Sequence, residues 1–274
     1  MDLVEQWLMW QRAGRRAERT IEERRRLIRQ FLARTGADPR TVEPMQIAAY
    51  LADNPHWGQS TAATYFSYLT SFFKWMLMMG HRPDNPMTML QGPRRPERSP
   101  RPVADEDLIA LLGTPMRDRT RVMLLLAALA GLRVSEIARV RGEDIDLGAA
   151  RIHVTGKGGK QAWVPLHPIL AEVAAGMPRA GWWFPGISAR QGQAVRPKSV
   201  SDILSGVMRR AGVPGTPHAL RHWYASTLLD DGADLRTVQE LMRHSSIQTT
   251  QVYTRVKDSR RVEAVGRLDP FRAA

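Results

Sequence analysis

The hydrophobic positions fall into two regimes, separated by a stretch with no apolar side chain at all. From Thr20 to Thr35 they recur at helical spacing, with Ile21, Leu27, Ile28, Phe31 and Leu32 on one side and arginines on the other. Thr20 followed by Glu23 matches a capping box at the start of that helix. Pro44 opens a short helix to Leu51, and Ser60 is placed to cap a third that carries Tyr65, Phe66, Tyr68, Leu69, Phe72, Phe73, Trp75 and Met76. So much apolar surface on one helix has to be core, so this third of the chain reads as an all-α domain of four or five helices.

From Gly92 to Pro102 there are four prolines, four arginines and no apolar side chain. Proline fixes the backbone and blocks helix continuation, so an extended, semi-rigid connector is expected. The expected division is therefore 1–91, a linker at 92–103, and a second domain at 104–274. In that domain Asp105 caps a helix through Leu112, and a buried helix runs from about Arg119 to Ala130 until Gly131 stops it. Arg151–Val154 and Gln161–Pro165 alternate like paired strands about a glycine-rich turn at 156–160. Trp182-Trp183-Phe184 reads as core or turn packing, and Ser199 to Arg210 as a helix. The fold class is mainly α with a small β-sheet.

Composition narrows the partner. The 274 residues carry 40 Lys+Arg against 27 Asp+Glu, a net charge of +13. The excess is +6 over residues 1–103 and +7 over 104–274, which suits a protein that surrounds a polyanion, most simply nucleic acid. Without cysteine, disulfides, cysteine–zinc sites and thiol nucleophiles are excluded. No apolar run of about 18 residues and no signal-peptide pattern is visible, so a cytoplasmic protein without a membrane partner is expected. The glycine-rich turn fails the phosphate-loop pattern, which argues against ATP.

The candidate chemistry lies between His218 and Tyr253. His218 and Arg221 are three apart on one helical face and can reach the same anion. His244-Ser245-Ser246 follows, and nine residues after His244 comes Tyr253. The set supplies an acid/base group, a phosphate clamp and a phenolic nucleophile.

In order and spacing, His218-Ala219-Leu220-Arg221-His222, Met242-Arg243-His244-Ser245-Ser246 and Tyr253 resemble the C-terminal signature of the tyrosine recombinases, the phage-integrase family. Gly131-Leu132-Arg133-Val134-Ser135-Glu136 is similar to the family's first arginine box. The resemblance implies an all-α, SAM-like core-binding domain followed by an α+β catalytic domain. It implies a catalytic set of Arg133, Lys157, His218, Arg221, His244 and Tyr253, with Glu136 supporting Arg133; Lys160 is the second choice for the turn lysine. Arg243 departs from the family's usual glycine, and Arg255 from a frequent histidine. Ser71-Phe72-Phe73-Lys74-Trp75 and Arg82-Pro83-Asp84-Asn85-Pro86 follow the family's core-binding rhythm, although Tyr65, Phe66 and Ser67 stand where many relatives carry a basic residue.

What the resemblance implies is a site-specific recombinase that cleaves and rejoins double-stranded DNA through a 3′-phosphotyrosyl link and a Holliday junction. It would use no metal or other cofactor, and would be a homotetramer on DNA and a monomer free in solution. Arg24, Arg25, Thr64, Lys74, Arg94, Arg95 and Arg243 are the candidate DNA contacts, with Arg24-Arg25-Arg26 otherwise a solvated face. An arm-binding domain of the lambda kind is expected to be absent, since the first helix begins within 20 residues. The alternatives are a chromosome-dimer resolvase of the Xer kind, a type IB topoisomerase and a DNA-binding module that no longer cleaves.

Overall fold

The computed structural model describes residues 2–94, 101–156, 159–187 and 190–243. The chain forms two compact units, residues 1–98 and 99–274.

In the first unit, α1 (Leu3–Ala13), α2 (Glu18–Thr35), α3 (Pro44–Ala52) and α4 (Gln59–Met78) are followed by a 3-10 turn at Pro86–Met89. Asp2 caps α1 by accepting the Glu5 N–H at 2.8 Å. Trp7, Ile28, Phe31, Ile47, Leu69, Phe72 and Phe73 are fully buried and form the core. Edge-on contacts of Trp7 with Phe72 and of Phe31 with Tyr50 pin the helices together.

Two expected caps fail here for one reason. α2 begins at Glu18 and α4 at Gln59, after Ala17 and Gly58, so Thr20 and Ser60 already lie inside helices. Ser60 instead receives the Thr64 hydroxyl on its carbonyl at 2.8 Å. Arg24 is a further correction to the solvated arginine face: it points inward. Its guanidinium donates to Gln11 Oε1 and lies 5.6 Å from the Trp7 ring and 5.2 Å from that of Tyr68. Aromatic faces and an amide replace the water that a buried cation would otherwise need.

The second unit opens with α5 (Asp105–Gly113) and α6 (Asp118–Leu129). Asp105 is the first residue of α5 rather than its cap, and its Oδ1 accepts the Trp223 indole N–H at 2.6 Å. α6 buries Val122 to Ala128 without a break, and Gly131 (φ 58°) turns the chain out of it. After the single-turn α7 (Val134–Ile137), three antiparallel strands run in the order β1 (Ile145–Asp146), β2 (Arg151–Thr155), β3 (Gln161–Pro165). Ile152 pairs with Val164 and Val154 with Ala162; Ile152, Val154 and Val164 put their side chains into the core. The unit continues through α8 (Pro168–Ala175), α9 (Pro197–Arg210), α10 (His218–Asp230) and α11 (Leu235–Leu241). Trp183 and Phe184 are buried with α6 and the sheet in one cluster. The described residues are thus mainly helical with one small sheet, and none of their helices is long and apolar enough to cross a membrane.

Candidate active site

The site is assembled where α6 ends, α7 begins, and α10 and the segment after α11 return to meet them. Arg133 occupies the position before α7. Its backbone N–H donates to Glu136 Oε2 at 2.9 Å and its Nη1 to Glu136 Oε1 at 2.7 Å. One carboxylate therefore caps the helix and orients the guanidinium together. The Arg133 side chain remains 29% exposed, whereas that of Glu136 is 2% exposed.

Arg221 sits one turn into α10 with 1% exposure. Its Nη1 donates to the Gly131 carbonyl and its Nη2 to the Met242 carbonyl. Nη1 also lies 3.9 Å from Glu136 Oε2. Arg243 closes the cluster. Its Nη2 donates to Glu136 Oε2 at 2.8 Å and to the Gly131 carbonyl at 3.1 Å, and its Nη1 to the Leu241 carbonyl at 2.8 Å. Three guanidinium groups thus share one buried carboxylate. Burial alone would raise the Glu136 pKa, but Arg243, the bonds from Arg133, and Arg221 together hold it below the ordinary carboxylate range.

Arg133, Ser135, Ser201, Thr216, His218 and Arg221 face a pocket of about 320 Å³. His218, the first residue of α10, stands edge-on to His222 one turn later, with ring centroids 4.3 Å apart. Burial, then the charges of Arg221 and Arg133, lower the His218 pKa, so the imidazole is neutral at physiological pH and able to accept a proton. His222 is pushed down to about 4 by burial, His218 and Arg221.

This depression makes stability depend on acid. Between the ordinary histidine pKa of about 6.5 and the folded value, the unfolded chain binds a proton that the folded chain refuses. Stability is therefore lost as pH falls through that window. We expect His222→Asn to flatten the fall in melting temperature between pH 6.5 and 4.5. Parallel curves for the variant and the wild type would place the effect elsewhere.

Of the residues singled out in the sequence, Arg133, Glu136, His218, Arg221 and Arg243 converge here. Lys157, His244, Tyr253 and Arg95 lie outside the described residues. In the first unit Lys74 and Arg94 are exposed, Thr64 bonds within its own helix, and Arg25 pairs with Glu5 and Glu22. Sequence reasoning missed Arg243 as a partner of Glu136, for which the only signal was a charge where the resembling motif has glycine. It also missed the contact between His218 and His222, which the four-residue spacing carries openly.

Comparison with known proteins gives the family. Residues 106–260 match the model of the phage integrase family. Tyrosine recombinase XerD of Listeria innocua is 32% identical, the match covering 87% of this chain and 86% of the relative. Tyrosine recombinase XerD of Listeria monocytogenes is 30% identical over 98% and 99%. Among solved structures, the integrase of mycobacterium phage Brujita is 46% identical, with a TM-score of 0.52 and coverage of 99% and 93%. A lambda integrase dimer bound to a COC′ core site shares the fold at a TM-score of 0.74 and 19% identity, over 92% and 93% of the two chains. This chain therefore belongs to the phage integrase family and is a tyrosine-type site-specific recombinase, an enzyme of DNA strand cleavage and rejoining.

Proposed function

We propose that this recombinase is the integrase of a phage or other mobile element, inserting and excising DNA through a 3′-phosphotyrosyl intermediate and a Holliday junction. The observation that carries the chemistry is the convergence of Arg133, Arg221 and His218 on one pocket. A phosphodiester seated there meets two guanidinium groups for its nonbridging oxygens and a neutral imidazole for a proton. Tyr253 Oη attacks phosphorus and gives its proton to His218. The bond from phosphorus to the 5′ oxygen breaks as Lys157 protonates that oxygen, and His244 donates to a nonbridging oxygen. The 3′-phosphotyrosyl bond keeps the energy needed to rejoin a second strand.

The choice of integrase over resolvase rests on the 46% identity to a mycobacteriophage integrase along almost the whole chain. A chromosome-dimer resolvase is the second reading, favoured by end-to-end likeness to XerD at 30% identity. In either case the partner is double-stranded DNA. Residues 1–91 would serve as the core-binding domain and 104–274 as the catalytic domain, with the basic linker along the phosphate backbone and four subunits in the synaptic complex. Arg25, Lys74, Arg94 and Arg95 are the remaining candidates for phosphate contact outside the catalytic set. The enzyme would act in the cytoplasm, on the bacterial chromosome.

The test is covalent trapping. Incubated with a nicked duplex spanning the site footprinted beside its own gene, the protein is expected to form an adduct that resists denaturation, in excess EDTA and without ATP. Joining of that site to a second, unlike site would support integration, and joining of two like sites resolution. Failure to form any adduct on footprinted DNA would overturn the proposed chemistry.

A further inference from the structure

Arg243 is a non-glycine residue held at φ 52°, a backbone conformation that L side chains rarely adopt. Its side chain is 8% exposed and makes three bonds inside the protein, to Glu136 Oε2, the Gly131 carbonyl and the Leu241 carbonyl. Unlike Arg133, His218 and Arg221 it does not line the pocket that would seat a phosphodiester, so the geometry points to a role other than DNA contact. We propose, on the basis of the cleavage chemistry above, that Arg243 is a positioning residue supplying the counter-charge that lets Glu136 hold Arg133 and Arg221 without neutralising them.

Glu136 carries one negative charge. Were Arg133 and Arg221 its only partners, the cluster would have a net charge of +1, enough for a resting phosphodiester of charge −1. Attack by the tyrosine changes the demand. Once the phenolic proton has left, the bond from Oη to phosphorus forms before the bond to the 5′ oxygen has fully broken, and the phosphoryl group then carries a further negative charge. With Arg243 included the cluster is +2, which matches that transition state more closely than the ground state, and such differential binding is what accelerates the chemical step.

The division of bonds fits this role. Glu136 Oε1 goes to Arg133 Nη1, while Oε2 is shared between the Arg133 backbone N–H and Arg243 Nη2. Arg243 thereby occupies the carboxylate oxygen that lies 3.9 Å from Arg221 Nη1. It also shares with Arg221 the carbonyl of Gly131, so the two side chains are fixed to one backbone point. Without Arg243, Oε2 keeps only the Arg133 backbone N–H and can draw Arg221 Nη1 off the Gly131 carbonyl and away from the phosphate.

The experiment compares Arg243→Gln, Arg243→Lys and Arg243→Gly with wild type on the footprinted nicked duplex, measuring DNA affinity, adduct formation at saturating DNA, and melting temperature. Glutamine keeps a hydrogen-bonding side chain without the charge, and lysine keeps the charge without the planar fork. Glycine removes the side chain and relieves the backbone. Arg243→Gln and Arg243→Gly are expected to form adduct about thirtyfold more slowly at saturation, less than the loss of a direct transition-state donor, with affinity within about twofold of wild type. Arg243→Lys is expected within about fivefold of wild type.

Wild-type rates for Arg243→Gln at saturation would overturn the proposal. So would a loss confined to affinity, with the salt dependence reduced by about one ion, since that is the mark of a phosphate contact. If wild-type protein itself forms no adduct, the cleavage chemistry fails, and the role of Arg243 falls with it.

Discussion

A Tyr253→Phe protein is expected to bind its DNA with wild-type affinity and to form no covalent complex at all. The substitution removes a single oxygen, and nothing else in phenylalanine can attack phosphorus. One other tyrosine is a physical rival. Tyr224 stands on α10 close to the arginine cluster, and a Cβ on Gly131 would lie 2.5 Å from its ring. Burial pushes its pKa up, with Arg243 and Arg221 only partly opposing that, so its phenol is harder to ionise than a free one. Tyr224→Phe should therefore still trap DNA. The pair is read on one gel with the nicked duplex; adduct from Tyr253→Phe and none from Tyr224→Phe would move the nucleophile to α10.

The second large effect is expected from Glu136→Ala. Removing the carboxylate leaves Arg243 and Arg221, at 8% and 1% exposure, as buried cations without their anion. Breaking a buried pair on one side costs about 3–5 kcal/mol. For a unit of this size each kcal/mol lowers the melting temperature by roughly 2–4 °C, so a drop of roughly 6–20 °C is expected. Glu136→Gln should fall between the two, since it keeps an acceptor but no charge. The pH dependence has its own sign. Because the folded pKa of Glu136 is depressed, its contribution is present above the ordinary carboxylate pKa and is lost as pH falls below it. The histidine effect runs from about 6.5 down to about 4, so the two losses follow each other in an acid titration. A Glu136→Ala protein melting within about 2 °C of wild type would show that the main-chain carbonyls, not the carboxylate, suffice for these arginines.

What could be read from the sequence was whatever local spacing encodes. The strand pair about the 156–160 turn, the stop at Gly131 and the buried α6 all follow from periodicity and glycine placement. Caps were less legible, because Thr20, Ser60 and Asp105 each stand at or inside a helix start whose true cap is Ala17, Gly58 or Ala104. Those residues make no side-chain cap, and a main-chain turn leaves no letter to recognise. Arg24 was misjudged for a related reason: a run of three arginines reads as a polar face, but helical rotation turns the first of them onto Trp7 and Tyr68. The link between Arg243 and Glu136 spans 107 positions and depends on how α7 and α11 come together, which no local pattern contains.

Four of the arginine bonds at the site end on main-chain oxygens: Arg221 on Gly131 and Met242, Arg243 on Gly131 and Leu241. A carbonyl is present whatever side chain its residue bears. Lineages can therefore exchange the residues at 241 and 242 for others that fill the same space, and the guanidinium groups keep their anchorage throughout. Gly131 has no such latitude, since its left-handed backbone disfavours a side chain and the ring of Tyr224 leaves no room for a Cβ. Divergence around this site should be uneven, with drift tolerated at positions 241 and 242 and almost none at the corner where α6 gives way to Arg133.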